Sequence, residues 1–540
     1  MASAGRWASS RSAVSARRAG REIELKLEVR AQDLPHLLHH PRLLELAEGT
    51  PRRRSVLTVY YDTPDLALWR SGLVLRVRRI GRRLSVGVKT RGVVRGGLVA
   101  RDELETPLAA AGLDPRRVAR SGLLGAIAEP RLRRALERAA GGEPLAPRVE
   151  TRFRRSALRV RLGSALVELA LDEGEARAGR ARIPIRELEL ELLAGATRAL
   201  FDLALELATE FELQPSSLGK AERAFERLLG EAQAPAHAEP IQLARNASLE
   251  AALRSVLGEC VRHLTANRSA AQHRTDPEGV HQMRVGARRL RSALRLFEAW
   301  LPPRVTLSLA GELRWLGREL GRARDLDVFV TELLGSLERS LPEDAGLEAL
   351  HEAAEAARAE AHAAVRAALS SQRYALLVLR LGRFIEGTPF RRGGLAARQV
   401  SALRAARPLL RRLATELHEL GARIDRLSAR ELHRLRIRTK RLRYAIELIG
   451  PLFGEKSCTR AERRLAALQD RLGYLNDLAS AEALLAQLRD RLGAKASPAT
   501  ARAEGRVLSH AAAWVAAGRA ELSHAWRRVA RSEPFWESQR

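Results

Sequence analysis

Residues 22–28 read Glu-Ile-Glu-Leu-Lys-Leu-Glu, so Glu22, Glu24, Lys26 and Glu28 alternate with Ile23, Leu25 and Leu27. A period of two is that of a strand with one apolar face and one charged face. The alternation returns at Arg76 and Arg78, at Arg101, Glu103 and Glu105, and at Glu187, Glu189 and Glu191. One such face is the ordinary solvated side of a strand. Several of them, acidic beside basic, form a different pattern. Carboxylates hold hard divalent cations, and guanidinium and ammonium groups hold phosphate oxygens. Together they suit a metal–polyphosphate ligand.

These side chains need a framework that aims several strands at one space. Strand-type alternation marks 22–29, 55–61, 73–79, 84–90, 98–106, 150–160, 165–172 and 184–193. The segment 112–140 reads as helix and loop, and 196–213 as an amphipathic helix. Eight strands with charged alternate faces predict a closed antiparallel barrel, because closure leaves no unpaired edge. Residues 228–246 lack periodicity and have the Ala/Pro-rich composition of a linker. From 247 to 540 the apolar spacing is helical, with Gly/Pro breaks at 301–303, 386–394 and 450–454.

An internal repeat lies in this second half. His281-Gln-Met-Arg284, continuing to Arg288 and Arg291, returns as His433-Arg-Leu-Arg436, continuing to Lys440 and Arg443. Leu320-Gly321 with Asp325 returns as Leu472-Gly473 with Asp477. The steps from 281 to 433 and from 325 to 477 both span 152 residues, so two separate motifs share one offset. The expectation is an α+β multidomain chain. A disordered basic tail at 1–20 precedes an eight-stranded antiparallel β-tunnel over 21–227. After the linker, 247–540 form an all-α duplicated bundle with pseudo-two-fold symmetry, its repeats roughly 247–395 and 396–540.

The 540 residues include 94 Lys and Arg against 64 Asp and Glu, a net charge of +30. Residues 1–240 hold 42 basic and 31 acidic side chains, and residues 241–540 hold the other 52 and 33. Both halves are basic and point to a polyanionic partner. Only six of the basic residues are lysine, at 26, 89, 220, 440, 456 and 495. Cys260 and Cys458 are too few and too scattered for a disulfide framework or a zinc site. No apolar run approaches the ~20 residues that span a bilayer, and the basic first 20 residues lack the apolar core of a secretory signal.

Taken in order, the motifs of the first half resemble the CYTH family of triphosphate tunnel metalloenzymes. Glu22, Glu24 and Lys26 match its opening Glu-x-Glu-x-Lys. Tyr60, Tyr61, Asp62 and Thr63, then Leu75, Arg76 and Arg78, match the next two signatures. Lys89, the strand of Arg101, Glu103 and Glu105, the segment of Glu168, Asp172 and Gly174, and Glu187 to Leu192 follow in register. Ser217 and Lys220 stand for a late Ser-Lys pair, here separated by Leu218 and Gly219. The resemblance implies that Lys26, Arg76, Arg78, Lys89, Arg101, Arg152, Arg154 and Lys220 hold a triphosphate. It implies one or two divalent ions, Mg²⁺ or Mn²⁺, on Glu22, Glu24, Glu189 and Glu191, with Glu103 and Glu105 as further ligands. Glu22, Glu24, Lys26 and Asp172 would form the catalytic set, with Glu103, Glu105 and Asp172 as metal ligands or as groups that orient the attacking water. Phosphoryl transfer depends on charge neutralisation and in-line positioning, which this inventory suits. Tyr60, Tyr61 and Trp69 read as barrel packing.

The second half resembles CHAD domains. His281, Arg284, Arg288 and Arg291 recur at i, i+3, i+7 and i+10 and share a helix face, as do His433, Arg436, Lys440 and Arg443. Residues 279–297 contain no acid, so the arginines lack counter-charge within their own helix. The resemblance implies inorganic polyphosphate as the compensating anion. Asp325 and Asp477 read as groups that orient arginines across the bundle. Neither His281 nor His433 has a His, Cys or carboxylate three or four residues on, which disfavours a metal role. His351 and His362 read as surface residues.

The expected function is hydrolysis of inorganic triphosphate to pyrophosphate and phosphate by a cytoplasmic enzyme, free or at polyphosphate granules. Its helical domain is expected to bind long-chain polyphosphate, with no membrane partner. Three alternatives stay open: a CYTH enzyme acting on an organic triphosphate (thiamine triphosphate, a nucleotide, or adenylate cyclase chemistry), an inactive polyphosphate scaffold, and a nucleic-acid binder. The last is disfavoured because the few aromatic residues are not interleaved with the basic faces.

Overall fold

All eight segments with a period of two are strands in the computed structural model of the chain. They form β1 (Gly20–Val29), β2 (Arg52–Asp62), β3 (Leu73–Ile80), β4 (Arg83–Thr90), β6 (Leu98–Leu108), β7 (Ala146–Leu162), β8 (Ala165–Ala178) and β9 (Ala181–Ala194). Two three-residue strands, β5 (Val93–Arg95) and β10 (Leu213–Pro215), are too short for alternation to reveal. The structure describes residues 20–537 except 91, 109–113, 119, 231–233, 274–275, 388–389, 391–398 and 494–495. The tail expected at 1–20 lies, apart from Gly20, outside the described residues. The chain divides into two units, Met1–Leu203 with Thr209–Glu231, and Ala204–Ala208 with Ala232–Arg540.

The antiparallel sheet runs β10-β1-β9-β8-β7-β2-β3-β4-β6-β5, and β1 also pairs with β6. That extra ladder, Glu22 opposite Arg101 and Glu24 opposite Val99, closes eight of the strands into a ring. On its other side β1 sets Glu24, Lys26 and Glu28 opposite Glu191, Glu189 and Glu187 of β9. Because the side-chain period is two, this register brings both charged faces to one lumen. The apolar faces turn outward: Val59, Tyr61, Val77, Val86 and Val88 pack with Leu123, Ile127 and Leu136, under the helices Arg120–Gly125 and Pro130–Ala140.

The helix Lys220–Leu229 brings the last charged group to the lumen. Ala221, Ala224 and Phe225 recur at helical spacing and pack with Tyr60, Val149, Phe153 and Ile185. The Glu222 carboxylate accepts from the N–H of Gly219, fixing the first turn.

The second unit is helical and duplicated. Helices beginning at Leu249, Glu278, Pro303 and Ala345 have counterparts beginning at Ala402, Ala429, Glu455 and Pro498, 151–153 residues later. Ser248 and Ser401 cap the first helix of each set through their hydroxyls. The two caps also meet. Leu249 N–H donates to Val400 O at 2.8 Å, and Ala402 N–H donates to Ala247 O at 3.0 Å. This reciprocal pair is a local two-fold axis between the repeats. Leu253, Leu290 and Leu316 share one core with Leu410, Leu442 and Leu468, so the repeats fold as one body. No helix among the described residues is long and apolar enough to cross a membrane.

Candidate active site

Strands β1, β3, β4, β7 and β9 each send charged groups into the lumen, and carboxylates bracket most of the cations. Lys26 Nζ lies 3.1 Å from Glu24 and 3.7 Å from Glu189. Lys89 Nζ lies 3.3 Å from Glu22 and 2.7 Å from Glu103. Arg76 ion-pairs with Glu103 and stands 3.6 Å from Glu105. Gly87, opposite Arg76 on β4, makes room for it: a Cβ there would come within 2.8 Å of Arg76 Nε. Lys220 Nζ is held by Asp172 at 2.8 Å and by Glu189 at 2.7 Å, with Glu187 beside it. Arg155 forks onto Asp172 at 2.8 and 2.7 Å and also reaches Glu189. Arg223, one turn on from Lys220, pairs with Glu187 and, at 3.2 Å, with Glu28. Arg78 differs. Its Nε donates to Thr58 Oγ1 at 3.3 Å, and among the described residues it pairs with no carboxylate.

The electrostatics follow from this arrangement. Burial pushes the Glu22 carboxyl up; Lys89 opposes the rise, while Glu24 and Glu103 add to it. Burial acts the same way on Glu103, but Arg76 and Lys89 outweigh it and hold that carboxyl well below the usual range. Burial alone would depress Lys220, yet Asp172, Glu187 and Glu189 reverse it and keep the ammonium charged. Burial and the neighbouring Arg76 lower Arg78. Negative charge is therefore crowded at Glu22 and positive charge at Arg78.

Glu22, Glu24, Lys26, Arg76, Arg78, Lys89, Glu189 and Lys220 line one lumen. Glu103, Glu105 and Asp172 stand behind its cations as their counter-ions. Glu191 lies two residues beyond Glu189 and opposite Glu24. Glu187 is fully buried, with Lys220 and Arg223 on its carboxylate. Arg101 pairs with Glu22 in the ladder, and its side chain lies outside the described residues. Arg152 and Arg154 are not in the lumen. They sit opposite Glu175 and Glu173 on the outer face of β7, 56% and 65% exposed. The inward residues of that stretch are Phe153 and Arg155, and Arg155 is the group the sequence reading missed. Gly174 lies opposite Phe153, where a Cβ would meet Arg152 O at 2.2 Å, so no side chain fits.

The donor chemistry of the lumen fits a divalent ion. Glu22 and Glu24 project from one face of β1 towards Glu189, and the carboxylates already bracket positive charge in the form of Lys26 and Lys89. Crowding at Glu22 is what a second cationic charge would relieve. Among the described residues no three carboxylates, imidazoles or thiols converge as a ready coordination shell.

In the helical unit the repeated basic faces meet where the helices Glu278–Leu296 and Ala429–Ile449 pack together. Burial pushes the Lys440 ammonium down to about 8, helped by Arg436, Arg288, Arg284 and Arg443, so both repeats contribute to one cluster. Arg284 Nη1 pairs with Asp325 at 2.8 Å. Arg288 and Arg443 lie over the Tyr444 ring at 5.6 and 4.9 Å, and their Nε atoms are buried without a hydrogen-bond partner. His281 is half-buried, its pKa lowered by burial and by Arg324. His433 and Arg291 are exposed, and Arg291 faces Arg314 and Arg295 instead of the cluster.

Two expectations for this unit change. Arg289 does have a counter-charge, Glu447 of the other repeat at 2.6 Å, and is itself buried. Its counterpart Arg441 stands 3.7 Å from Glu416, with Arg295 also close enough to lower it. His362 is no surface residue: its Nε2 lies 2.9 Å from the buried Asp327, which Arg358 also holds at 2.7 Å.

This fold and these two sites define a two-domain class. The CYTH domain profile matches residues 20–225, and the CHAD domain profile matches residues 255–486. The chain belongs to the proteins in which a CYTH domain is followed by a CHAD domain. It is similar to the inorganic triphosphatase of Haemophilus influenzae, 32% identical over 215 residues, which is 39% of this chain and 56% of the length of that curated relative. The CHAD domain from the plant Ricinus communis is 34% identical, over 56% of this chain and 98% of that one, with a TM-score of 0.47. A Hippeastrum protein described as revealing a dominant triphosphatase activity is 19% identical, over 39% of this chain and 96% of that one, with a TM-score of 0.29.

Proposed function

We propose that the tunnel hydrolyses inorganic triphosphate to pyrophosphate and phosphate in the cytoplasm, and that the helical unit binds long-chain polyphosphate. The observation that carries this reading is Arg78, a lumen cation that forms no ion pair among the described residues, beside cations that do. A linear polyanion gains a charge partner at Arg78 and competes with carboxylates for Lys26, Arg76, Lys89, Arg155 and Lys220. Glu103, Glu105 and Asp172 keep those cations aimed. Glu22, Glu24, Glu189 and Glu191 are the donors for Mg²⁺ or Mn²⁺. When bound, such an ion neutralises phosphate charge and acidifies a water.

Two further observations favour an inorganic substrate. The similar Haemophilus protein is named an inorganic triphosphatase. The lumen rings of Tyr60 and Trp69 both pack on Phe225, Trp69 stacked at 4.8 Å, so they serve packing before they serve a base or a thiazolium ring. Phosphate release from triphosphate, ATP, thiamine triphosphate and long-chain polyphosphate, each with and without Mg²⁺, tests the reading. Inorganic triphosphate should be fastest, and only with the ion. Faster release from ATP or thiamine triphosphate moves the substrate to the organic class, and no release from any of them leaves a binding protein.

A further inference from the structure

Lys440 is the odd member of the basic cluster. Its counterpart in the first repeat is Arg288, and the chain uses lysine at only six of its 94 basic positions. An arginine at 440 would hold an anion equally well and stay protonated. A lysine adds an amine that can lose its proton and act as a nucleophile. Its surroundings push it that way: Arg284 and Arg288 crowd it from one repeat, Arg436 and Arg443 from its own helix. Among the described residues Lys440 Nζ has no ion-pair or hydrogen-bond partner to hold the proton. The same neighbours invite an anion, because the Nε donors of Arg288 and Arg443 are buried and unpartnered.

We infer that Lys440 is an acylation site, modified by acyl phosphates that the surrounding arginines capture. The phosphate end of the reagent pairs with the guanidinium groups, which sets the acyl carbon beside the amine. Neutral Nζ attacks that carbon. A C–N bond forms, the C–O bond to phosphate breaks, phosphate leaves with the electron pair, and the amine proton passes to it. The products are an amide and hydrogen phosphate. With Lys440 at about 8, a substantial fraction of the amine is neutral near pH 7.5, against about one in a thousand for an ordinary lysine. The amide carries no charge, so acylation removes one cation from the cluster. This requires the cationic cluster and does not rest on polyphosphate as its ligand.

The test uses the full chain with acetyl phosphate at pH 7.5, and quantifies acetylation at Lys440 and at the exposed Lys456 by peptide mass spectrometry. Lys440 should react at least about tenfold faster. Excess inorganic phosphate should slow Lys440 and leave Lys456 unchanged. Equal rates at the two lysines would overturn the site, and indifference of Lys440 to inorganic phosphate would overturn the capture step. Arg288→Gln should bring Lys440 towards the rate of Lys456; phosphate protection in the native chain decides the matter should that variant misfold. A parallel polyphosphate titration separates the two readings. Binding without preferential acylation removes this inference alone, and preferential acylation without binding removes the polyphosphate reading alone.

Discussion

The tunnel and the helical cluster are both basic, yet they keep their positive charge in opposite ways. In the tunnel Lys26, Lys89, Lys220, Arg76 and Arg155 are each clamped by buried carboxylates, and Arg78 is the exception. In the cluster the cations crowd one another until Lys440 gives up its proton easily. Clamped charges hold their positions without a ligand, which suits chemistry that depends on geometry. Crowded charges store repulsion that an anion relieves, which suits capture. Net charge alone, +30 over the chain, would not have told the two apart.

The contrast breaks first at Lys220. Lys220→Met takes away the ammonium that Asp172, Glu187 and Glu189 share, leaving these buried carboxylates to Arg155, Arg223 and Lys26, and unfolding free energy should drop by about 3–5 kcal/mol in a denaturant titration. A loss below about 1 kcal/mol would show that the carboxylates do not need the clamp. Glu24→Gln should lower kcat for triphosphate by about 10²–10³ while circular dichroism stays unchanged. Full activity would take Glu24 out of the ion-holding set. On the other side of the contrast, Arg288→Glu should weaken polyphosphate binding by about 10–100-fold, and should flatten its dependence on log salt by about 0.7 for the lost contact. An unchanged salt slope would place the polyanion elsewhere.

Lys440 sharpens the comparison through pH. Raising the pH from 7 to 9 passes its value of about 8 and removes a cation, so polyphosphate affinity should fall several-fold across that window. In Lys440→Arg it should stay level. Stability moves the other way. The folded value lies below that of a free lysine, so between them the unfolded chain binds more protons, and unfolding free energy rises with pH. The smallest effect belongs to Arg154→Ala, which should alter KM and stability by no more than about 0.5 kcal/mol. A large rise in KM would return that side chain to the lumen.

Much of this arrangement was legible in the residues, for reasons that also explain the exceptions. On β1, β3 and β9 one face is charged and the other apolar, so alternation identified the inward side. β7 obeys no such rule. Its buried positions switch from Val149, Thr151 and Phe153 to Ser156, Leu158 and Val160, because the helix Lys220–Leu229 packs on Val149 and Phe153 while the helix Pro41–Leu46 packs against β7 where Ala47 bridges Val160. Phe153 shares the lumen with Arg155, and the outward Arg152 and Arg154 imitate a functional pair. In the helical half, a face spanning i to i+10 is longer than the cluster it feeds. Arg284 and Arg288 reach Lys440, while Arg291, further along, meets Arg314. The pairs Arg289–Glu447 and His362–Asp327 join residues 158 and 35 apart, and only tertiary packing could reveal them.

β1 is the seam of the ring. It pairs with β6 through Gly20–Leu25 and with β9 through Glu24–Glu28, so Glu24 and Leu25 are flanked on both sides. The first strand of the ring thus waits for one of its last, since Glu191 cannot meet Glu24 until β9 has been made. Until then the nascent sheet is open and presents bare N–H and C=O groups along its edges to other nascent chains. Contacts of such high order form slowly, because the entropy of closing a long loop must be overcome before any of them contributes. Synthesis rate and chaperone supply, alongside the final stability of the barrel, therefore bear on the yield of closed rings.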